Sequence, residues 1–235
     1  MNVEIWSDIA CPWCYVGKRR FERALGSFSH RDEVEVVWRS FELDPAAPRV
    51  QDGRQAELLA KKYRVPLERA EAMNANMTAQ AATEGLDFRL DRVRVGSTFD
   101  AHRLIHLAGT VGRREAMVER LFRAYLTDGE TLGDIEVLVR LAGEAGVDAE
   151  RARDVLEGDQ FADAVRSDEE RARTFGISGV PFFAIDERYG VSGAQPPEAL
   201  LGALREAWKT RAGATVTLST DSSSTGACDD GTCAL

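Results

Sequence analysis

Alternating apolar and polar positions predict β-strands near both ends of the chain. Residues 3–8 alternate over a short stretch, and residues 33–41 (EVEVVWRSF) alternate with many β-branched and aromatic side chains. Further along, residues 181–185 (PFFAI) and 189–192 flank a polar turn. Two short apolar runs around such a turn predict an antiparallel hairpin.

An apolar period near 3.6 residues predicts helices in the rest of the chain. Pro12–Leu25 predicts a helix between the first two strands, with Pro12 in the first turn, where its missing N–H costs no hydrogen bond. A closing helix is predicted to begin at Pro196–Pro197. Strand signals disappear between about Pro45 and Phe175, where helices are predicted at residues 66–83, 98–111, 134–145, 148–157 and 159–175.

The order of these elements is strand, helix, strand, a long helical block, two strands and a helix. It predicts an α/β protein with a thioredoxin fold interrupted by a large all-helical insertion. We expect residues 1–44 and 176–212 to form a discontinuous thioredoxin domain, with residues 45–175 as the helical insertion domain. Residues 213–235 are rich in Ser, Thr and Gly, which predicts a flexible tail.

Charge and hydropathy narrow the set of partners. The 235 residues carry a formal net charge of −9, which argues against nucleic acid, because phosphate binding needs clustered Lys and Arg. The basic clusters Lys18–Arg20 and Arg113–Arg114 are interpreted as solvated helix faces. No run approaches the ~20 apolar residues of a membrane helix, so no membrane partner is expected.

The N-terminal segment bears on the compartment. It has neither a basic region nor an apolar run long enough for a signal peptide, so a cytoplasmic location is expected. The cytoplasm is reducing. The four cysteines of the chain are therefore interpreted as catalytic or metal-binding residues rather than as structural disulfide bridges.

The strongest chemical signal is Cys11-Pro12-Trp13-Cys14, which lies between a predicted strand and a predicted helix. The helix N-terminus presents unpaired N–H groups and a positive dipole end, which stabilise a thiolate at Cys11. Cys14 is one helical turn deeper on the same face and can form a disulfide with Cys11. Two alternatives remain: a zinc site shared with Cys228 and Cys233, and inert thiols.

Other polar residues allow a structural and a chemical interpretation. Asp8 precedes Cys11 by three residues and either caps the helix region or relays a proton to Cys14. His102 and His106 have the i, i+4 spacing of metal ligands, but they lack the Glu of an H-E-x-x-H motif. Packing within a helix is therefore the favoured interpretation, and no metal site is predicted.

The segments SDIACPWCYVGKRRFE, FDAHRLIHLA and GISGVPFFAI…YGVSGAQ resemble the DsbA-type thioredoxin superfamily, specifically its FrnE-like thiol–disulfide oxidoreductases. The motifs recur in the same order over nearly the whole chain. The resemblance implies that Cys11 attacks, that Cys14 resolves, and that Val180–Pro181 is a cis-proline loop facing them.

The same resemblance has consequences for substrate contacts and for redox potential. We expect Pro12, Trp13, Val180 and Pro181 to contact the substrate, with the Val180 backbone pairing like an added strand. DsbA itself resembles this site but carries His where Trp13 stands. A less oxidising potential is therefore expected here.

The tail carries a second pair of cysteines, Cys228 and Cys233. A flexible linker of this length reaches ~22 Å, so the pair could exchange with Cys11–Cys14 as an accessory dithiol, as the resemblance also suggests. The alternative is that these are exposed cysteines without a catalytic role.

The function predicted from the sequence is that of a cytosolic protein disulfide oxidoreductase acting on protein or small-molecule disulfides and thiols. Its redox group is the Cys11–Cys14 disulfide, with no bound cofactor and with glutathione as a candidate co-substrate. One alternative is a glutathione-dependent isomerase or transferase of the 2-hydroxychromene-2-carboxylate isomerase or kappa class. Those proteins resemble this chain in fold but use a serine near the position of Cys11. A third hypothesis is a binding or chaperone module that is stabilised by a bound zinc ion.

Overall fold

A computed structural model describes residues 1–211 as one mixed sheet with helices around it. The strands are β1 (Asn2–Ser7), β2 (Glu35–Ser40), β3 (Phe182–Ile185) and β4 (Tyr189–Ser192). Their order in the sheet is β2-β1-β3-β4. Strand β1 is parallel to β2 and antiparallel to β3, and β3 and β4 form an antiparallel hairpin.

The helical block between β2 and β3 contains more helices than the apolar period predicted. Within the predicted helical block, the helices Gln55–Tyr63 (α2) and Arg114–Arg123 (α5) were not delimited, and residues 45–54 precede α2 without helical structure. A 3₁₀ turn (Arg31–Glu33) and a π-helical turn (Ala124–Asp128) complete the helical segments of the described chain. The α-helices are α1 (Pro12–Gly26), α2 (Gln55–Tyr63), α3 (Leu67–Thr83), α4 (Phe99–Thr110), α5 (Arg114–Arg123), α6 (Ile135–Glu144), α7 (Ala149–Glu157), α8 (Ala162–Thr174) and α9 (Pro197–Arg211).

Both faces of the sheet are covered. On one face, Phe21 of α1 stacks on Phe183 of β3 with ring centroids 5.4 Å apart. On the other face, the indole Nε1 of Trp6 donates to the carbonyl of Asp168 in α8 at 2.9 Å. Ile5 and Trp6, adjacent on β1, are both fully buried, as the central strand of a covered sheet requires.

This architecture confirms the predicted fold class, a thioredoxin fold with an all-helical insertion. The domain boundaries at residues 44 and 176 stay a prediction. The predicted tail, with Cys228 and Cys233, lies outside the described residues. No helix within residues 1–211 is long and apolar enough to cross a membrane.

The interpretation of Lys18–Arg20 as a solvated face was wrong for Lys18, whose side chain is only 3% exposed. Its ammonium contacts Glu115 Oε1 at 2.6 Å and Glu119 Oε2 at 2.9 Å, both on α5, and also the Glu22 carboxylate. Burial opposes the charge of Lys18, but the adjacent glutamates raise its pKa above the ordinary value. The cluster thus fastens α1 to the insertion.

Candidate active site

Cys11 occupies the N-cap position of α1 and has extended backbone geometry. Its N–H donates to the Asp8 carbonyl at 3.1 Å, and its own carbonyl accepts from the Cys14 N–H at 3.1 Å. These bonds turn the chain sharply from β1 into the helix. Pro12 fills the first helical position, as predicted. The Cys11 sulfur is therefore placed at the positive end of the helix dipole.

Cys14 is the more deeply buried of the two cysteines, with 1% exposure against 6% for Cys11, and both are free thiols. Burial is the main cause that raises the pKa of the Cys14 thiol well above its ordinary value, and its contact with Cys11 adds to this effect. The backbone of Asp8 and the hydroxyl of Ser7 act in the opposite direction. Cys14 is consequently held as a thiol next to Cys11, in the position of a resolving residue.

The Val180–Pro181 loop faces Cys11 from the start of β3, and its peptide bond is cis. The Cys11 thiol lies 3.6 Å from the Val180 carbonyl oxygen. Gly17 of α1 makes this approach possible, because a Cβ there would lie 2.8 Å from Pro181 Cγ. The structure thus brings Cys11, Cys14, Val180 and Pro181 together.

The two central residues of the motif differ in their surroundings. Trp13 is partly buried and packs against the core. Pro12 lines a pocket of about 560 Å³ between the thioredoxin core and α2. The pocket wall is largely apolar, with polar groups at intervals, and consists of Asp8, Ala10, Pro12, Leu43, Asp44, Ala47, Gln51, Gln55, Leu58, Leu59, Lys61, Lys62, Leu90, Val93, Val95, Gly96, Thr98, Tyr125 and Leu126.

The Asp8 side chain does not cap α1. It connects the turn between β1 and α1 to the segment that follows β2. Its Oδ1 accepts from the Ala10 N–H at 3.2 Å, and its Oδ2 accepts from the Leu43 N–H at 2.7 Å. Burial disfavours the charge of Asp8, yet the contacts with His102, Leu43 and Thr98 hold the pKa of its carboxyl below the ordinary value. A buried carboxylate therefore lies beneath the start of α1.

The two histidines of α4, His102 and His106, contact different residues and do not form one common site. His106 Nε2 lies 3.0 Å from Asp168 Oδ2 and 3.2 Å from Ser40 Oγ. His102 Nε2 lies 3.5 Å from Asp8 Oδ1. Within residues 1–211 no group of three or more His, Cys, Asp or Glu side chains is placed to hold a metal ion.

Sequence reasoning missed three contributors to the site. Ser7 was treated only as the end of a strand, and His102 only as a packing residue. Helix α2 was not delimited within the predicted helical block, although Leu58 and Leu59 form a wall of the pocket. The contact between His102 and Asp8 joins residues far apart in the chain, so the sequence could not predict it. The i, i+4 spacing of the histidines was the one sequence signal that drew attention to His102.

The chain is similar to proteins of one family over nearly its whole length. A family model described as a DSBA-like thioredoxin domain matches residues 2–205. A probable DsbA oxidoreductase from Streptomyces coelicolor is 49% identical, with a TM-score of 0.87 over 100% of this chain and 99% of that chain.

Two further solved structures share the fold at low identity. A 2-hydroxychromene-2-carboxylate isomerase is 13% identical, with a TM-score of 0.65 over 90% of this chain and 98% of that chain. The cytosolic disulfide reductase DsbM from Pseudomonas aeruginosa, solved with GSH, is 16% identical, with a TM-score of 0.61 over 89% of this chain and 100% of that chain. At such identities the likeness concerns the fold alone.

Proposed function

The chain belongs to the DSBA-like thioredoxin domain family, and we propose that it is a cytosolic thiol–disulfide oxidoreductase with Cys11 as nucleophile and Cys14 as resolving thiol. One observation carries the proposal: two adjacent thiols at a helix N-terminus face the Val180–Pro181 loop, with 3.6 Å between Cys11 Sγ and Val180 O. The Cys11 sulfur lies at the positive end of the α1 dipole, and the thiolate is the form of cysteine that attacks a disulfide.

The proposed reaction proceeds in two steps. The Cys11 thiolate attacks a substrate disulfide, forms a mixed disulfide and releases the first substrate thiolate. Cys14 then attacks the Cys11 sulfur, forms the Cys11–Cys14 disulfide and releases the second substrate thiol. The protein supplies two electrons, and its own disulfide is the redox group, so no bound cofactor is required.

Two kinds of substrate fit the surroundings of Cys11. The Val180 backbone can pair with an extended peptide as an added strand, with Trp13, Pro12 and Pro181 around the reacting sulfur. The pocket of about 560 Å³ beside Pro12 has the size of a small-molecule site. A low-molecular-weight disulfide such as oxidised glutathione could place its body there. We therefore propose protein and small-molecule disulfides as substrates, with glutathione as a co-substrate.

A cytosolic location is part of the proposal and is compatible with the cytosolic disulfide reductase DsbM, which shares the fold. Cys228 and Cys233 are proposed as an accessory dithiol that exchanges with Cys11–Cys14. A Cys228→Ser/Cys233→Ser double variant should change the turnover rate without abolishing it. An unchanged rate would remove the accessory pair from the proposal and leave the main site intact.

The proposed function is tested by reduction of the disulfides of insulin or by rearrangement of a scrambled disulfide substrate. Cys11→Ser should abolish activity. Cys14→Ser should accumulate a mixed disulfide on Cys11, detectable by mass spectrometry. Activity equal to wild type in Cys11→Ser would refute the assignment of the nucleophile.

The pocket favours a second candidate, a glutathione-dependent isomerase or transferase. Such an enzyme needs room for a small organic substrate next to the activated group, and the pocket beside Pro12 provides it. The presence of two thiols favours disulfide exchange instead. The test is the isomerisation of 2-hydroxychromene-2-carboxylate in the presence of glutathione. A Cys14→Ser variant that catalyses it at the wild-type rate would support the second candidate, because isomerisation needs no resolving thiol.

A further inference from the structure

Two buried polar atoms close to the start of α1 make no hydrogen bond of ordinary geometry among residues 1–211. They are Ser7 Oγ and His102 Nε2, on residues with only 4% and 2% exposure. Burying such groups without a partner is unfavourable, so an unpaired buried polar atom usually has a bound water or a chemical role. Ser7 lies beside Cys14, and His102 Nε2 lies 3.5 Å from the buried carboxylate of Asp8.

Ser7 and His102 line one small internal cavity, together with Ser40, Arg39 and four apolar residues. Its volume of about 10 Å³ is at the lower limit for one water molecule. Ser40 already pairs with His106, so the two unpaired groups are the donors and acceptors left for a water there. The Ser7 hydroxyl also lies beside the Cys14 thiol, where it favours the thiolate.

We propose that His102, contributed by the helical insertion, takes the proton of the resolving Cys14 through the Ser7 hydroxyl and one water in this cavity. The inference rests on the proposed function and adds a proton acceptor to it. Asp8 Oδ1, 3.5 Å from His102 Nε2, is placed to stabilise the imidazolium that forms.

The proton movement balances the second step of the proposed reaction. The Cys14 thiol passes its proton to the Ser7 hydroxyl, which passes one to the water, which passes one to the His102 imidazole. The Cys14 thiolate attacks the Cys11 sulfur, the Cys11–Cys14 bond forms, and the bond from Cys11 to the substrate sulfur breaks. The electron pair of that bond leaves with the substrate thiolate.

Three charged groups around His102 lie on or directly after strands β1 and β2. Asp8 follows β1, Glu42 follows β2, and Arg39 of β2 lines the cavity. Arg39 is already bound to Glu4 and Asp168, and Glu42 is bound to Arg166. Asp8 is therefore the nearest counter-charge for a proton held on His102.

The test uses the full-length reduced protein and the aromatic disulfide 5,5′-dithiobis(2-nitrobenzoate) in stopped flow. The first coloured thiolate released reports attack by Cys11, and the second reports resolution by Cys14. In His102→Gln we expect an unchanged first phase and a second phase about a hundredfold slower at neutral pH, the lower end of the range for general acid–base catalysis. Ser7→Ala should behave in the same way.

The pH profile separates a proton path from a packing effect. Without an internal acceptor, Cys14 must lose its proton to bulk base, so the second phase of His102→Gln should rise about tenfold per pH unit, more steeply than in wild type. Ser40→Ala is the matched control, because it removes a hydroxyl from the same cavity and from the residue paired with Ser7 in the sheet. It should leave the second phase unchanged.

The outcomes distinguish this inference from the proposed function. A missing first phase in wild type would refute the proposed function. A normal first phase with the same second phase in wild type, His102→Gln and Ser7→Ala would refute the proton path alone. Equal slowing in Ser40→Ala would also refute it and would indicate a packing effect. If His102→Gln does not fold, Ser7→Ala decides the question by the same criteria.

Discussion

The Val180 carbonyl oxygen lies 3.6 Å from the Cys11 sulfur, although 169 residues separate them in the chain. The sheet produces this contact. Strands β1 and β3 are hydrogen-bonded neighbours with Trp6 opposite Phe182, so the residues just after β1 and just before β3 meet at one edge. The whole insertion leaves the sheet after β2 and returns before β3 without disturbing the register of β1 and β3.

Gly17 controls how closely the Pro181 loop approaches α1. In Gly17→Ala the new Cβ would lie 2.8 Å from Pro181 Cγ, so the loop must move and the Val180 carbonyl must shift relative to Cys11. We expect an overpacking cost of about 1 to 3 kcal/mol, partly offset by the better helix propensity of Ala, and a clear loss of disulfide turnover.

Gly26→Ala in the same helix is the matched control for this prediction. No atom lies within 4 Å of a Cβ placed there, so activity and stability should stay at or slightly above wild type. Insulin reduction and urea unfolding of the two variants provide the comparison. Full activity in Gly17→Ala would show that the loop accommodates the methyl group without consequence.

Local signals made the motif predictable, whereas long-range pairing did not. Cys11, Pro12 and Cys14 could be placed because a strand, a helix start and the proline all occur within a few residues. Burial of Lys18 could not be predicted, because its acidic partners Glu115 and Glu119 lie on another helix. A charge in an amphipathic pattern is normally solvated, and only the fold brings these carboxylates to it.

Helix α2 was missed although its sequence carries a helical signal. Ala56, Leu59 and Tyr63 recur at helical spacing. None of the residues Gln55–Tyr63 is fully buried, and Leu58 and Leu59 face the pocket beside Pro12 instead of a packed core. That this helix forms a wall of a pocket could not be predicted, because the pocket depends on long-range contacts.

Leu58 should influence the choice among small disulfides. It lines the pocket from α2, and its replacement by a polar residue removes an apolar contact worth about 1 to 3 kcal/mol. In Leu58→Asn we expect kcat/KM for neutral 4,4′-dithiodipyridine to fall about tenfold, while that for small, polar hydroxyethyl disulfide stays near wild type.

Val50→Asn serves as the control for Leu58→Asn, because Val50 is 51% exposed and lies outside the pocket wall. It should not change the ratio of the two kcat/KM values. An equal fall for both disulfides in Leu58→Asn would mean that the pocket does not select substrates.

Asp168 should make the protein sensitive to acid. Burial alone would raise its pKa, but bonds from His106, the Ser40 N–H and Arg39 lower the pKa below the ordinary value of 3.8. Because the folded pKa is depressed, this stabilisation is fully present above about pH 3.8 and is lost as pH falls through the folded value. In Asp168→Asn the free energy of unfolding should therefore fall less steeply than in wild type as the pH is lowered through the acid range.

The same substitution should also destabilise the protein at neutral pH, by about 3 to 5 kcal/mol, because Arg39 and His106 lose a buried charged partner. Urea unfolding at pH 7 and at pH 3 measures both effects. Glu170→Gln, which removes an exposed partner of Arg173 on the same helix, should cost less than about 1 kcal/mol. A cost for Asp168→Asn equal to that control would contradict the prediction.

Glu42 should oppose stability at neutral pH, in contrast to Asp168. Burial raises its pKa above the ordinary value of 4.5, and the charge of Glu169 adds to this, although Arg166 at 2.6 Å from Glu42 Oε2 opposes both. A group whose folded pKa is raised contributes stability below the unfolded pKa and loses it as pH rises through the folded pKa. Glu42→Gln mimics the protonated carboxyl, so the variant should unfold at a higher urea concentration than wild type at pH 7. The difference should disappear below about pH 4.5.

Arg166→Gln should have the opposite effect at pH 7, because it leaves the two carboxylates, Glu42 and Glu169, without their shared cation. A Glu42→Gln variant less stable than wild type at pH 7 would show that the ion pair with Arg166 outweighs the cost of burying the charge.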